Sequence, residues 1–493
     1  MANSFKSDES FLRKLALGAA GTNATIGRLR LMGFKPIELE RGSTGFKIWK
    51  RIKIKRIRVP DVLCLRTGLR FESRGKTKLE ISMSHSLSDP RRAWDAGMRD
   101  DDIVSIVAFE QKDDIPVNPK QISPVHFVCV KEMRKAFAEK QVSTTRPKGV
   151  EEGSEIRVAW NCAVASHRSV VAAVDPDRII LNSAAEARCQ SVRLRRRRGG
   201  LETTLLPQVA LNETVEANQI VAAVVPIKTA LGCPPSVNED YFVEKLASAS
   251  LSERYAAAKA LRYRGYGTAR QVLESRMADG AEDIYVQLEA AAALAAHNGA
   301  SGWDFIEDKL EHPAMMVPLE TQLETVIVAS EIQDPRSERL LSKILRDTQR
   351  DNELRAGAAW ALGQFASPTT ATALVDVFDS SPLEVRVEAA RALLRIAESQ
   401  IPFLVELLKS SAPGKRDGIS WVLARTGRFR PTGAVVPADD NLRKWVSYIV
   451  GYGQNNFDPG DVDAICRADP EVYFAASVLW QIVASWINGL REY

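Results

Sequence analysis

The feature that most constrains the fold is an Ala- and Leu-rich pattern that recurs through the second half of the chain. Its copies place Leu261, Leu294, Val328, Leu362 and Leu393 at equivalent positions, at intervals of 33, 34, 34 and 31 residues. Each copy has room for two short amphipathic helices, the first carrying the marker residue. A nearly constant period with two helices per unit predicts an α-solenoid, in which each repeat packs on its neighbours.

Two copies carry the pattern most clearly, 354–363 (LRAGAAWALG) and 385–394 (VRVEAARALL). They resemble HEAT repeats, and the resemblance runs from about Ser250 to Gly427. It implies a HEAT-type α-solenoid, predicted for residues 240–430, but it does not identify a ligand because solenoids have many functions. Residues 431–493 have apolar side chains at helical spacing and are predicted to form a helical cap, with a partner-binding helix as the alternative.

The middle of the chain has a pattern typical of β-structure. Short β-branched runs, such as 156–160 (IRVAW) and 178–181 (RIIL), alternate with turn residues and predict an all-β module over 154–230. The segments 169–181 and 212–221 resemble barrel-sandwich hybrid domains, including the hybrid segment of the RNA polymerase β subunit. No lysine stands at the tip of the predicted hairpin, so a lipoyl or biotin carrier is not predicted. The polar residues 141–153 are interpreted as a linker.

Charge is distributed unevenly along the chain. The chain has 67 Lys and Arg against 62 Asp and Glu, a net +5, while residues 1–100 have 22 against 10, a net +12, so the remainder sums to 5 − 12 = −7. A basic N-terminal region predicts contact with a polyanion, with a solvated basic surface as the alternative. Double-stranded DNA is favoured over RNA because phosphate contacts dominate such binding. The residues predicted to bind nucleic acid are Lys50, Arg51, Lys53, Lys55, Arg56, Arg58, Arg195, Arg196 and Arg197.

Within residues 1–140 the predicted order is two helices, over 11–18 and 24–32, then strands joined in hairpins. Pro60-Asp61 is followed, after ten residues, by Glu72-Ser-Arg-Gly-Lys76. This pattern resembles the PD-(D/E)XK motif of restriction-endonuclease-like nucleases. The resemblance implies an α/β nuclease core in which Asp61 and Glu72 hold Mg²⁺ or Mn²⁺ and Lys76 is the third catalytic residue. Such an ion polarises the scissile phosphate and lowers the pKa of an attacking water.

The chain departs from this motif at one position. The motif lysine belongs two residues after the acid, where this chain has Arg74. Arginine cannot act as a base at neutral pH, so Arg74 would act only through its charge. Lys76 shares a strand face with Glu72 if the strand alternates regularly through Gly75. Lys76 is therefore assigned the lysine role, with Arg74 in support.

Two alternatives stay open for this segment. In the first, Lys78 and Glu80 take part, with Asp61 and Glu80 as the acid pair. In the second, which is non-catalytic, Asp61 caps a turn and Glu72 pairs with one of the two arginines of the same hairpin.

Together these patterns predict a multidomain α+β protein: a restriction-endonuclease-like core, a β-module, a HEAT solenoid and a helical cap. The predicted function is a metal-dependent nuclease that hydrolyses phosphodiester bonds of DNA. A nuclease fused to a HEAT array resembles prokaryotic proteins of genome defence, which act against viruses. The alternative is a non-catalytic scaffold or adaptor that binds nucleic acid or a protein partner.

No membrane span or signal peptide is predicted, so a cytoplasmic location is expected. Cleavage of a duplex would favour a homodimer with two paired active sites.

Overall fold

The computed structural model describes residues 8–39, 57–110, 119–146, 155–183, 189–198, 201–265, 267–312, 316–379 and 381–428, with positions 442, 445, 446, 448 and 449. The chain divides into two compact units. The first comprises Met1–Lys47 and Lys55–Arg276, and the second Ile48–Ile54 and Met277–Tyr493. Within the described ranges, no helix is long and apolar enough to cross a membrane.

The first unit begins with one long helix, α1 (Asp8–Leu31), where the sequence predicted two helices. The strands that follow are β1 Pro36–Glu38, β2 Val62–Cys64, β3 Arg70–Lys76, β4 Ile81–Ser86, β5 Ile103–Ala108 and β6 His126–Cys129. Five of them form one sheet in the order β1-β2-β3-β5-β6. In this sheet β3 and β5 are parallel, and the other neighbouring pairs are antiparallel. Helix α1 packs against β3 and β5.

Glycine lets α1 approach β3 closely. A Cβ atom on Gly75 would lie 2.1 Å from the backbone oxygen of Leu17, and one on Gly21 would lie 2.6 Å from the nitrogen of Gly75. The parallel register of β3 with β5 runs without a break from Phe71 to Lys76. Gly75 therefore makes room for the helix and does not kink the strand.

Strand β4 leaves the main sheet and pairs with a strand of the β-module. Its partner is β8 (Glu155–Trp160), which also pairs with β7 (Val142–Thr145). The prediction of strands joined in successive hairpins is therefore wrong at β4. The linker predicted over 141–153 is also wrong in part, because β7 lies inside it. The Val-Ser-Thr-Thr sequence of β7 suits a strand once β8 supplies a hydrogen-bonding partner.

The β-module consists of small antiparallel sheets, as the alternating runs predicted. The helix α2 (Val130–Ala138) precedes it. Besides β7 and β8, the β-module contains β9 Cys162–Val164, β10 Ser169–Val174, β11 Arg178–Ser183, β12 Cys189–Arg193, β13 Arg195–Arg198, β14 Leu201–Thr204, β15 Leu206–Pro207, β16 Thr214–Val215 and β17 Ile220–Ala223. Strands β16 and β17 pair in different sheets, so the hairpin predicted over 212–221 is not formed as a pair.

One hydrophobic core joins the five-stranded sheet to the β-module. It contains Val104 and Ile106 of β5 together with Trp160 of β8, Val171 of β10 and Val221 of β17. Burial of large apolar side chains is the main favourable contribution to folding, so a shared core makes the two parts fold together. The sheet and the β-module are thus parts of one unit.

Three helices follow the β-module: α3 Glu239–Leu246, α4 Leu251–Arg264 and α5 Arg270–Ala278. The sequence predicted them as the start of the solenoid. In the structure α3, α4 and most of α5 lie in the first unit, which extends to Arg276. The compact second unit therefore begins after the first predicted repeat.

The second unit consists of helices at the predicted period. They are α6 Ile284–Ala296, α7 Ala300–Glu311, α8 Leu319–Glu331, α9 Pro335–Arg346, α10 Asn352–Leu362, α11 Pro368–Asp376, α12 Leu383–Ser410 and α13 Pro413–Thr426. The markers Leu294, Val328, Leu362 and Leu393 are all fully buried. Helix α12 is one helix of 28 residues with Pro402 inside it, where the sequence predicted two helices.

Most of the predicted cap over 431–493 lies outside the described residues. Five positions within it are described, and all five are helical and buried: Leu442, Trp445, Val446, Tyr448 and Ile449.

Candidate functional site

The two acids of the motif face each other across the hairpin of β2 and β3. Val62 is opposite Phe71 in this antiparallel pair, so the next position places Asp61 opposite Glu72. Directly opposite residues of an antiparallel pair project from the same face of a sheet. Both side chains are buried, with 6% of Asp61 and 8% of Glu72 exposed. The backbone N–H of Ser73 donates to Asp61 Oδ2 at 2.6 Å, which holds this carboxylate against β3.

The basic residues of β3 lie on the same face as Glu72. Because side chains alternate along a strand, Glu72, Arg74 and Lys76 share one face while Ser73 and Gly75 point to α1. The unbroken register between β3 and β5 extends this alternation to Lys76. Strand β3 is therefore regular through Gly75, which is the condition that the assignment of the lysine role to Lys76 required.

Glu72 forms an ion pair with its strand neighbour. Arg74 Nη2 lies 2.5 Å from Glu72 Oε1, a short charge-assisted contact, as the non-catalytic interpretation predicts for one of the hairpin arginines. The other arginine of the hairpin, Arg70, pairs elsewhere.

The Lys76 ammonium is held between β3 and β4. Lys76 Nζ donates to the backbone oxygen and to Oγ of Ser82, both at 3.0 Å. Burial, followed by the nearby charges of Arg74 and Arg157, lowers the pKa of Lys76 from 10.5 to about 8. The ammonium thus stays the major form at pH 7, but it loses its proton well below the pH at which a free lysine does.

Arg157 of the β-module meets Lys76 at the same serine. Arg157 Nε donates to Ser82 Oγ at 3.0 Å, and the guanidinium also pairs with Glu80. Ser82 Oγ in turn donates to Glu80 Oε1 at 3.1 Å. Glu80, the alternative acid, thus has Arg157 and Ser82 as partners, and Lys78 is exposed in the bend after β3.

Helix α4 reaches the strand beside Asp61. The N–H of Leu39 donates to the Asp61 carbonyl oxygen at 2.7 Å. The Leu39 carbonyl accepts from Tyr255 Oη at 3.3 Å and from Lys259 Nζ at 3.5 Å. Lys259 is almost fully buried, with 1% of its surface exposed. Lys259 is therefore a second buried lysine of this region, linked to Asp61 through the backbone of Leu39.

A buried ion pair joins the sheet to α4 and to the turn before β5. Arg70 and Asp102 are 1% and 0% exposed, and their two hydrogen bonds measure 2.9 Å and 2.5 Å. Arg70 also donates to Ser252 Oγ at 2.6 Å and to the Gly97 oxygen at 3.1 Å. Both carboxylate oxygens of Asp102 and all three nitrogens of the Arg70 guanidinium have protein partners. This network is therefore structural.

The predicted nucleic-acid-binding residues are only partly described. Arg58 and Arg195 are exposed, as binding to phosphate requires. Arg196 and Arg197 lie in β13, which pairs with β14. The remaining five predicted residues lie outside the described ranges: Lys50, Lys53, Lys55, Arg51 and Arg56.

The chemistry of the donor set decides whether a metal ion could be held here. Within the ranges that the structure describes, no group of three or more His, Cys, Asp and Glu side chains lies close enough to form a metal site. The candidate donors are the two carboxylates of Asp61 and Glu72. Mg²⁺ prefers oxygen ligands and is commonly held by one or two carboxylates, with water and substrate phosphate completing the shell. The pair therefore fits this class of ion.

Sequence reasoning missed Arg157 and Lys259 as residues of this region. Arg157 lies between Ile156 and Val158, so alternation indicated an outward-facing side chain, but only the pairing of β4 with β8 brings it to Lys76. Lys259 lies within the repeat pattern, and a lysine in an amphipathic helix is normally predicted to be exposed to solvent.

Comparisons with known proteins identify the helical repeats. The HEAT-repeat family matches residues 318–393. No curated protein sequence matches the chain. Among solved structures, the chain is similar to YibA of Escherichia coli, with 16% identity over 52% of this chain and 93% of that one and a TM-score of 0.25.

Two further solved structures are similar at the same level. The complex of CpcE and CpcF of phycocyanin lyase from Nostoc sp. PCC7120 has 17% identity, covers 48% of this chain and 94% of that one, and has a TM-score of 0.25. Human deoxyhypusine hydroxylase in complex with glycerol has 16% identity, covers 46% and 99%, and has a TM-score of 0.18. TM-scores this low support no argument about function, and none of these matches is evidence for a nuclease domain. The C-terminal region of the chain contains HEAT repeats.

Proposed function

We propose that the first unit contains a metal-dependent nuclease centre that hydrolyses phosphodiester bonds of DNA. Asp61 and Glu72 would hold Mg²⁺ or Mn²⁺, and Lys76 would act beside them. The observation that supports the proposal is the register of β2 and β3, which pairs Val62 with Phe71 and so brings the buried residues next to them, Asp61 and Glu72, to the same end of the hairpin. The resemblance to the PD-(D/E)XK motif implies this placement of two acids on paired strands.

The chemistry follows from the residues on that face. A bound divalent ion would polarise the phosphate and lower the pKa of an attacking water. The ammonium of Lys76, at a pKa of about 8, is mostly protonated at neutral pH and stabilises negative charge that develops on the phosphate. Arg74 keeps its charge at any physiological pH and adds to this stabilisation, but it cannot accept a proton.

Prokaryotic genome defence, cleavage by a homodimer and recognition of a partner by the HEAT repeats are finer parts of the same proposal. The defence role depends on the fold-level resemblance of a nuclease fused to a HEAT array. The repeats would bind a protein partner or the duplex itself, because stacked repeats offer an extended surface for binding.

The second candidate is a non-catalytic scaffold that binds nucleic acid or protein. Two observations favour it: Glu72 is paired with Arg74, and Asp61 accepts a hydrogen bond from Ser73, so both buried acids have protein partners. The HEAT match at 318–393 is consistent with a scaffold, since stacked repeats offer an extended surface for binding.

Cleavage of plasmid and linear duplex DNA by the full chain, with Mg²⁺, with Mn²⁺ and with EDTA, separates the two candidates. We expect cleavage that needs the ion and that falls on the order of a hundredfold or more in Asp61→Asn and in Glu72→Gln. Asp89→Asn, which changes a partly exposed acid of the same unit paired with Arg91, is the matched control and should cleave normally.

A second readout does not depend on activity. Mn²⁺ should raise the melting temperature of the unaltered chain and of Asp89→Asn, but not that of Asp61→Asn, because only a folded chain with both acids binds the ion. Cleavage that Asp61→Asn leaves intact would remove the assigned site. Salt-sensitive DNA binding without cleavage or metal binding would establish the scaffold instead.

A further inference from the structure

We infer that Arg157, a strand residue of the β-module, is a phosphate-binding residue of this centre and forms one anion site with Arg74 and Lys76. We call these three residues the basic rim. The inference rests on the proposed function and adds to it a residue that the motif does not contain, supplied by a part of the chain about eighty positions away. Its ligand is a phosphate of the nucleic-acid backbone.

Two cations of the basic rim converge on a single oxygen. Ser82 Oγ lies 3.0 Å from Lys76 Nζ and 3.0 Å from Arg157 Nε. A serine hydroxyl can accept two hydrogen bonds and donate one, and this one donates to Glu80, so its bonding capacity is filled. Ser82 therefore sets the spacing between the ammonium and the guanidinium.

Like charges held this close repel each other, and a bound anion relieves the repulsion. Burial, and after it the charges of Arg74 and Arg157, lowers the pKa of Lys76, as expected for an ammonium close to other cations. Glu80 and Glu72 each offset one arginine through an ion pair. The ammonium of Lys76, in contrast, is bonded to the neutral oxygens of Ser82.

The two arginine side chains of the basic rim are partly exposed to solvent. The side chains of Arg157 and Arg74 are 46% and 39% exposed, while the structural Arg70 is 1% exposed. The described contacts of Arg157 use Nε and Nη2 out of five N–H donors. A planar fork with open donors matches the oxygens of a phosphate better than an ammonium does.

The strand pairing fixes where this guanidinium lies. Arg157 is opposite Ser84 in the antiparallel pair of β4 and β8, while its neighbour Val158 is fully buried in the core. Ser84 and Ser82 lie on the same face of β4 because side chains alternate. Arg157 is thereby kept next to Lys76 by backbone pairing as well as by its contact with Glu80.

The test measures binding of a labelled DNA duplex to the full chain in EDTA, at several salt concentrations, so that no cleavage occurs. Arg157→Gln should weaken binding about fivefold and lower the slope of log affinity against log salt by about one, the change expected for loss of one phosphate contact. Arg157→Lys keeps the charge and should keep that slope. The matched control is Arg168→Gln, which removes another exposed β-module arginine, paired with Glu216, and should change affinity by less than about twofold.

Glu80→Gln separates an anion site from a plain ion pair. If Arg157 binds phosphate, removing the neighbouring carboxylate should tighten DNA binding while Arg157→Gln weakens it. If the pair is only structural, both substitutions should lower the melting temperature alike and leave affinity at the level of Arg168→Gln, and the inference falls. Binding is measured well below each variant's melting temperature, and if Arg157→Gln folds poorly, the change in DNA affinity of Glu80→Gln still tests the inference.

The outcomes also separate this inference from the proposed function. Metal-dependent cleavage lost in Asp61→Asn, together with unchanged DNA affinity in Arg157→Gln, would leave the nuclease centre standing and overturn the role of Arg157. An unaltered chain that neither binds nor cleaves DNA with either ion would overturn both.

Discussion

Each of the two units is stabilised by contacts within itself, and these contacts differ in how far apart along the chain their residues lie. In the second unit, Arg346 bonds to Asp376, 30 positions further on, which is about one repeat. In the first unit, Arg70 bonds to Ser252, 182 positions away, and to Asp102 inside the core. Local contacts between neighbouring repeats thus build the second unit, whereas the first depends on contacts between distant segments.

This difference predicts how far the effect of one substitution spreads within each unit. A solenoid repeat contacts mainly its neighbours, so a defect there should remain local. In the first unit one buried charge pair touches the sheet, the turn before β5 and α4 together. A single substitution in that pair should therefore disturb the whole unit.

The largest effect is expected from Asp102→Ala. It leaves the guanidinium of Arg70 buried without its carboxylate, which should lower the free energy of unfolding of the first unit by about 4 kcal/mol. Urea denaturation followed by hydrogen exchange should show lost protection in β3, β5 and α4. The control is Arg346→Ala, which breaks a half-exposed pair and should cost less than about 1 kcal/mol. Equal losses in these two variants would contradict the comparison.

Leu362→Ala tests the second unit. Leu362 is fully buried on α10, and the cavity left by truncation should cost about 3 kcal/mol. Hydrogen exchange should show the loss in α8 to α12 and unchanged protection in β3 and β5. Gln349→Ala, at an exposed position of the same repeat, should have almost no effect. Loss of protection throughout both units would argue against local repeat packing.

His126 makes the first unit sensitive to acid. Its ring is fully buried, Nε2 accepts the N–H of Ile220 at 2.9 Å, and burial lowers the pKa of His126 to about 4. The unfolded chain has a histidine pKa of about 6.5 and so binds the proton first as pH falls. The stability due to neutral His126 is thus complete above pH 6.5 and is lost towards pH 4, by about 3 kcal/mol.

Urea unfolding at pH 7, 5 and 4 measures this loss. His126→Gln should flatten the pH dependence, even if it lowers stability at pH 7, because the ring that takes up the proton is gone. His167→Gln, which changes an exposed histidine of the same unit, should keep the slope of the unaltered chain. An unchanged slope in His126→Gln would assign the acid sensitivity to other groups.

The smallest of the four effects is expected at the contact of α1 with β3. Gly75→Ala places a methyl group against the backbone oxygen of Leu17 and should cost about 2 kcal/mol. Gly18→Ala, in the same helix with nothing within 4 Å of the added methyl, should instead stabilise by about 0.5 kcal/mol. Opposite shifts of the melting temperature would confirm the close approach, and equal shifts would exclude it.

Prediction from the sequence succeeded where the structural cause is local. The marker residues, Leu294 among them, are buried on helices at the predicted period, because helix spacing and repeat length are both visible along the chain. The antiparallel pairing of β2 with β3 likewise follows from two strands joined by a short turn. The single α12 was missed because a proline at position 402 normally ends a helix, and packing against neighbouring helices overrides that tendency here.

Prediction failed where a strand or helix chooses a partner far away. β4 reads as the next strand of a hairpin, yet it pairs with β8, and this choice brings Arg157 to Lys76. Likewise α4 carries the repeat pattern, yet its Ser252 bonds to Arg70 of the sheet. The residues of β4 and α4 do not by themselves indicate which distant segment each will pack against.

The sequence by itself determined the HEAT repeats and the spacing that brings Asp61 opposite Glu72. Both follow from backbone periodicity, which a short stretch of residues sets without reference to the rest of the chain. The tertiary structure alone decided the burial of Arg70 with Asp102, the placement of α4 with the sheet and the meeting of Lys76 with Arg157. These depend on which of many compatible surfaces pair, a choice made by the packing of the whole unit because strand edges and apolar faces are not specific to one partner.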